Sequence, residues 1–229
     1  MDKFIIQGGI PLQGEVTPSG NKNAALPLLS ACLLTDQPVV LHNVPEINDV
    51  KTMRGLLSSL GVEITHLKDH SWKLHAKNVK SQSLDPVLCS RIRASVLLAG
   101  PMSAREGRLI LPPPGGDVIG RRRIDTHILA LESLGVEADF RKKDKVFTFF
   151  TEGLQGNEIL LDEASVTATE NAIMAAVTAS GKTILRNAAS EPHVQELCRF
   201  LNSLGAQIEH VGSNVLHITG VPSLGGGEY

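Results

Sequence analysis

The sequence predicts an α/β domain of inside-out, barrel-like build: three β-α-β-α-β-β repeats with buried helices and short sheets outside. Three observations carry this. First, LLSSLGVEI from Leu56, ALESLGVEA from Ala130 and FLNSLGAQI from Phe200 each run from an apolar helix end through Leu-Gly into a short strand. Their glycines, Gly61, Gly135 and Gly205, lie 74 and 70 residues apart and suit helices that end at a glycine with positive φ. Second, NKNAALPLLSACLLTDQPVVLHNV, SRIRASVLLAGPMSAREGRLILPP and TATENAIMAAVTASGKTILRNAA share one plan: a small-residue apolar helix, a polar turn, then a β-branched strand. Third, aromatic residues make up 3% of 229 residues, so small aliphatics fill the core, which suits closely packed helices.

The elements follow in order. Residues 4–7 read as a strand, followed by a turn at Gly8-Gly9 and an extended stretch to residue 20. The first unit's apolar helix begins near Lys22. Its second helix spans residues 49–60, where Val50, Met53, Leu56, Leu57 and Leu60 recur at helical spacing while Lys51, Arg54 and Ser58 face outward. The corresponding second helices fall at 125–134 and 192–204. The first helices are apolar around much of their circumference, which predicts burial on all sides. Residues 1–20 and 221–229 do not fit the repeat. The former read as a strand stub of a partner domain, 21–220 as a complete three-repeat domain, and 221–229 as a linker into that partner.

Composition narrows the function classes. Lys plus Arg is 22 and Asp plus Glu is 24, a net charge of −2, which supplies no basic footprint for nucleic acid or for an anionic membrane. No apolar run reaches the roughly 18–20 residues that span a bilayer, and MDKFIIQGG lacks a secretory signal pattern. Cys32, Cys89 and Cys198 are odd in number and set among apolar residues. They read as reduced core cysteines, and the expected location is the cytoplasm. The eight histidines show no ligand spacing, so no metal site is expected.

Several segments are candidates for chemistry. Ser19-Gly20-Asn21-Lys22-Asn23 places a lysine and two amides at a helix start, either an anion site or a plain N-cap with a solvated lysine. PPPGGDVIGRRRID, residues 112–125, puts Asp117 at the tip of a glycine-proline loop followed by Arg121, Arg122 and Arg123. It reads as a lid over a phosphorylated substrate or as a solvated surface loop. Arg91 and Arg93 flank the second apolar helix and need either a core carboxylate or a ligand. Residues 164–171, from Ala164 to Asn171, hold the equivalent place in the third unit. Equivalent helix starts in a pseudo-threefold domain converge at one end, which favours a shared site. Gly181-Lys182-Thr183 is no phosphate-binding P-loop, because position 176 is Ala176 and the segment runs from helix into strand.

Taken together, Ser19 through Pro27, Arg93-Ala94-Ser95 and Gly115-Gly116-Asp117-Val118-Ile119-Gly120-Arg121-Arg122 resemble the UDP-N-acetylglucosamine 1-carboxyvinyltransferases, a family of enolpyruvyl transferases. Asn43-Val44-Pro45 and Asn187-Ala188-Ala189 extend the likeness along the chain. The resemblance implies transfer of the enolpyruvyl group of phosphoenolpyruvate to the 3-hydroxyl of UDP-N-acetylglucosamine, at the first committed step of peptidoglycan synthesis, with no cofactor. It implies a second domain, an active site between the two, and no turnover from residues 1–229 alone. By the same resemblance Lys22 and Arg122 hold the phosphate and carboxylate of phosphoenolpyruvate, and Asp117 stands where most members carry a proton-donating lid cysteine. Asn23, Arg93, Arg122, Arg123, Ile124, Asp125, Thr126, Glu163, Ala164, Ser165 and Val166 match the sugar-nucleotide positions. The sequence departs from the common pattern at Arg123, Thr126, Glu163 and Thr167, where Pro, Leu, Lys and Gly are usual. Two other readings stand beside it: a non-catalytic UDP-sugar-binding module, and a relative acting on shikimate 3-phosphate.

Overall fold

The computed structural model describes residues 3–116 and 124–229. The first unit holds α1 (Lys22–Ala31) with a 3-10 turn at Cys32–Leu34, β1 (Val39–Leu41), α2 (Asn48–Leu60), β2 (Glu63–His66) and β3 (Trp72–His75). The second holds a short α3 (Pro86–Cys89), a 3-10 run over Arg93–Leu98 that continues as α4 (Ala99–Glu106), β4 (Arg108–Leu111), α5 (Asp125–Ser133), β5 (Glu137–Arg141) and β6 (Val146–Phe150). The third holds β7 (Glu158–Leu160), α6 (Val166–Ala176), β8 (Lys182–Arg186), α7 (Pro192–Ser203), β9 (Gln207–Glu209) and β10 (Val215–Thr219). A last strand, β11, covers Gly227–Glu228.

The strands form three separate sheets, in the orders β11-β1-β3-β2, β4-β6-β5 and β7-β8-β10-β9. Among the described residues these ladders do not join into one closed barrel. The helices lie between them: α1 packs on α2 and α7, and α6 packs on α4, α5 and α7. Every residue of α6 from Ala168 to Ala176 is buried, which accounts for its all-round apolar and small-residue character. Gly61, Gly135 and Gly205 have φ of 104°, 94° and 102°, the left-handed conformation the Leu-Gly pattern predicts. The first and third units also agree in a turn residue, since Asn43 and Asn187 follow β1 and β8 with φ of 52° and 56°. Asparagine tolerates that region better than most residues.

Three expectations need correction. Residues 4–7 form no strand: Phe4 and Ile5 are each 96% exposed, and a strand requires a neighbour to satisfy its N–H and C=O groups. The place beside β1 is instead filled by β11, parallel to it with Val39 opposite Gly227. Gly227 and Glu228 therefore belong to the first sheet, within the stretch 221–229 that the sequence reads as a linker into a partner domain. The apolar helix of the second unit is split between 3-10 and α turns. Starting α4 at Ala99 puts Pro101 in its first turn, where an N–H would have no acceptor within α4.

The cysteines are buried and unbridged, as their setting suggests. Burial pushes the Cys89 and Cys198 thiols up to about 12 and Cys32 higher still, so none is a nucleophile. Among the described residues no helix is long and apolar enough to cross a membrane.

The helix pair α4–α6 meets at Gly100, where an added Cβ would stand 2.5 Å from the Asn171 carbonyl oxygen and 2.8 Å from its Oδ1. Gly205 has nothing within 4 Å but a φ of +102°. Gly100→Ala is expected to cost about 2–3 kcal/mol through overpacking, and Gly205→Ala about 1 kcal/mol through backbone strain alone. Urea midpoints of the two variants measure the difference, and equal losses would contradict the packing argument.

Candidate active site

The starts of α1, of the 3-10 run and of α6 converge on one cleft of about 390 Å³. Lys22, Asn23, Arg91, Arg93 and Val166 line it, together with carboxyl groups from Asp49, Glu170 and Glu191. Asn21 caps α1: its Oδ1 accepts from the N–H groups of Asn23 at 2.7 Å and Ala24 at 3.2 Å. Pro27 lies inside α1 and has no N–H, so the Asn23 carbonyl lacks its helical donor where the helix borders the cleft. Lys22 Nζ is held 3.0 Å from Asp49 Oδ2, with both side chains well exposed. A pair so exposed is worth roughly 0–1 kcal/mol, so the ammonium can turn to an incoming anion at small cost.

Behind the cleft wall lies a buried polar network. His127 of α5 is 3% exposed. Its Nε2 is 3.1 Å from Thr167 Oγ1 and its Nδ1 is 2.8 Å from Asn171 Nδ2. Asn171 Nδ2 also donates to the Val96 carbonyl at 2.8 Å, and its Oδ1 accepts from the Gly100 N–H at 2.8 Å. Those two backbone partners fix which end of the amide faces His127, so Nδ1 must accept and Nε2–H donates to Thr167. The imidazole is therefore neutral. Burial, with the nearby Arg93 charge, pushes its pKa down from 6.5 to about 3. Thr167, which borders the cleft, accepts from His127 and keeps its own hydroxyl proton for another acceptor.

Glu170, one turn further along α6, is 1% exposed, and its Oε1 finds no hydrogen-bond partner among the described residues. Burial, and then the Glu191 charge, raise its pKa well above 4.5, which disfavours the charged carboxylate on the cleft floor.

Of the residues singled out from sequence, the cleft gathers Lys22, Asn23, Arg91, Arg93, Val166, Thr167 and Glu170. Ser165 caps α6, accepting from the Ala168 N–H at 3.4 Å. Ile124, Asp125, Thr126, Glu163 and Ala164 form a neighbouring ridge where the starts of α5 and α6 meet. There Thr126 Oγ1 donates to Asp162 at 2.6 Å and lies 3.4 Å from Glu163 Oε1. Asp117, Arg121, Arg122 and Arg123 lie outside the described residues. A larger cavity of about 660 Å³ opens beside Leu28, His42 and Pro192; of the candidate helix start it takes Gly20 and Asn21, while Lys22 and Asn23 line the other cleft. Sequence reasoning missed His127, and it took Glu170 only as a member of the 164–171 set, with no role of its own. The available signal was a charged or imidazole residue within an otherwise apolar helix.

Buried helices, outer sheets and a basic cleft at converging helix starts define the class, an α/β domain of the enolpyruvyl transferase type. The chain belongs to the family described as EPSP synthase (3-phosphoshikimate 1-carboxyvinyltransferase), whose model matches residues 6–229. It is 53% identical over 229 residues to a Treponema denticola protein named UDP-N-acetylglucosamine 1-carboxyvinyltransferase, covering 100% of this chain and 53% of that one. A Bradyrhizobium diazoefficiens protein of the same name is 52% identical over 227 residues, covering 99% and 52%. Among solved structures, the enolpyruvyl transferase NikO from Streptomyces tendae superposes with a TM-score of 0.82 at 23% identity, over 97% of this chain and 52% of that one. An EPSP synthase from Acinetobacter baumannii gives 0.73 at 18%, over 94% and 48%. These two likenesses establish the fold. The chain spans about half the length of the curated relatives it matches.

The two buried titratable groups have opposite pH signatures. An unfolded imidazole takes a proton near pH 6.5 and folded His127 only near 3, so its contribution is complete above 6.5 and is lost as pH falls towards 3. Glu170, raised from 4.5, contributes fully below that value and loses stability as pH rises through its folded pKa. Glu170→Gln is expected to be more stable than the parent at about pH 8, with the gap closing near pH 4. His127→Gln should flatten the fall between pH 6.5 and 4 by up to about one proton per molecule. Denaturant midpoints across pH check both, and unchanged slopes would refute the assignment.

Proposed function

We propose that this chain supplies one half of an enolpyruvyl transferase. The full enzyme moves the enolpyruvyl group of phosphoenolpyruvate to the 3-hydroxyl of UDP-N-acetylglucosamine, the first committed step of peptidoglycan synthesis. The observation that carries this is 53% identity along the entire chain to a protein of that name. The cleft supports it: cations and helix starts collect where a doubly anionic substrate would enter.

In this reading the sugar 3-hydroxyl gives its proton to a base of the second domain as its oxygen bonds to C2 of phosphoenolpyruvate, while C3 gains a proton. C3 then loses a proton as the C2–phosphate bond breaks and the double bond re-forms. Lys22 and Arg122 hold the phosphate and carboxylate, and Asp117 delivers the proton to C3. Asn23 and Arg93, with Arg123, Ile124, Asp125, Thr126 and Glu163 through Val166, position the sugar nucleotide. No cofactor takes part. Residues 3–20, with Phe4, Ile5, Ile6, Leu12 and Val16 nearly fully exposed, pack in the same reading against a second domain of the same polypeptide, which completes the site. The reaction takes place in the cytoplasm, where both substrates are found.

The test is phosphate release. The two-domain protein is expected to release phosphate from phosphoenolpyruvate with UDP-N-acetylglucosamine, and residues 1–229 alone are not. Lys22→Ala in the two-domain protein should lower kcat/KM at least about 100-fold, through loss of a charge-assisted contact in the transition state. Turnover by the isolated chain would defeat the half-site reading. The matching family's description favours a second reading, action on shikimate 3-phosphate, and release with that acceptor instead would establish it.

With Asp117 at the lid position, fosfomycin, an epoxide that alkylates the cysteine form, is expected to leave the protein's mass unchanged after prolonged incubation. A stable adduct mapped to Asp117 would overturn this.

A further inference from the structure

The hairpin of the third unit assembles a donor set that linear spacing does not reveal. Glu209 at the end of β9 stands directly opposite His217 of β10 in the antiparallel ladder, so the two side chains share a face. Strand alternation would send His210 to the other face. His210 instead leaves the strand with φ 61°, and its ring lies 4.6 Å from that of His217 at 78° between planes. The turn is held by the Ser213 N–H donating to the His210 carbonyl at 2.9 Å. One donor atom from each of Glu209, His210 and His217 lies within 4.8 Å of the others.

We propose that this hairpin tip binds a divalent transition-metal ion of the zinc class through two imidazole nitrogens and one carboxylate oxygen, with a fourth position open to water. Tetrahedral coordination with bonds of about 2.0–2.1 Å sets donors roughly 3.3–3.5 Å apart. Bringing donors that lie within 4.8 Å of one another to that spacing needs at most about 1.5 Å of movement, which exposed Glu209 and His210 and half-buried His217 supply by small rotamer changes while the backbone stays fixed. Imidazole donors favour zinc, copper or nickel over magnesium and calcium, which take oxygen ligands. The equivalent hairpins also carry paired rings, His66 tilted against Trp72 at 4.5 Å and Phe140 against Phe147 at 4.7 Å. Ring packing is thus common to the three units. Among the described residues, the third hairpin alone groups three such donors. None of its three residues lines the cleft, so the site stands independently of the substrate assignment.

Calorimetric titration of the chain with zinc sulfate tests this. The expected result is one equivalent bound with a Kd of about 1–50 μM and no magnesium binding. His217→Ala and Glu209→Gln should each weaken binding at least tenfold, while His70→Ala, at an exposed histidine elsewhere, leaves it unchanged. Circular dichroism verifies that the variants fold. His210→Ala removes a donor without touching the ladder and should weaken binding equally. Absence of binding at about 100 μM zinc, or binding untouched by His217→Ala and His210→Ala, would overturn the proposal.

Discussion

The side-chain amide of Asn171 is the constraint on which the cleft depends. It sits on α6, wholly buried, and reaches two other helical segments at once. Its NH₂ group donates to the Val96 carbonyl and to His127, and its oxygen accepts from the Gly100 N–H. A buried amide with three partners in fixed directions cannot be rotated without stranding several polar groups in an apolar core, each at a cost of about 1–3 kcal/mol. The network therefore sets the spacing of α4 and α6, the tautomer of His127 and the direction in which Thr167 can donate. Gly100 is the backbone counterpart, because only a residue without Cβ lets the two helices approach this closely.

The cleft also shows why a net charge of −2 is uninformative about the site. Lys22, Arg91 and Arg93 share the space with Asp49 and Glu191, and with Glu170, whose burial disfavours its charged form. Anion affinity at such a place comes from local arrangement, helix starts included, and overall balance conveys none of it.

Much of the fold was legible because its signals are local. A left-handed glycine after an amphipathic helix marks itself three times in Gly61, Gly135 and Gly205. Lys22 and Arg93 were legible because a cation beside a helix start has few roles. What escaped was set by long-range pairing. Nothing near Gly227 says that it will lie beside Val39, and nothing near Phe4 says that it will find no ladder partner. His127 escaped because its role depends on an asparagine 44 residues away, and the hairpin donors because strand register, not sequence interval, brings them together.

The closure of the first sheet by β11 bears on how the chain acquires its structure. Thr35 Oγ1 donates to the Leu224 carbonyl across 189 positions, and the His42 N–H reaches the Tyr229 carbonyl. Contacts of such span are the slow ones, since the loop they close must be ordered before they repay it. During synthesis the third unit can assemble all its own strands, whereas the first must wait with the flank of β1 uncovered until residue 229 has left the ribosome. The unit made first is thus the last to be finished, and its open strand edge is where a newly made chain is most exposed to mispairing.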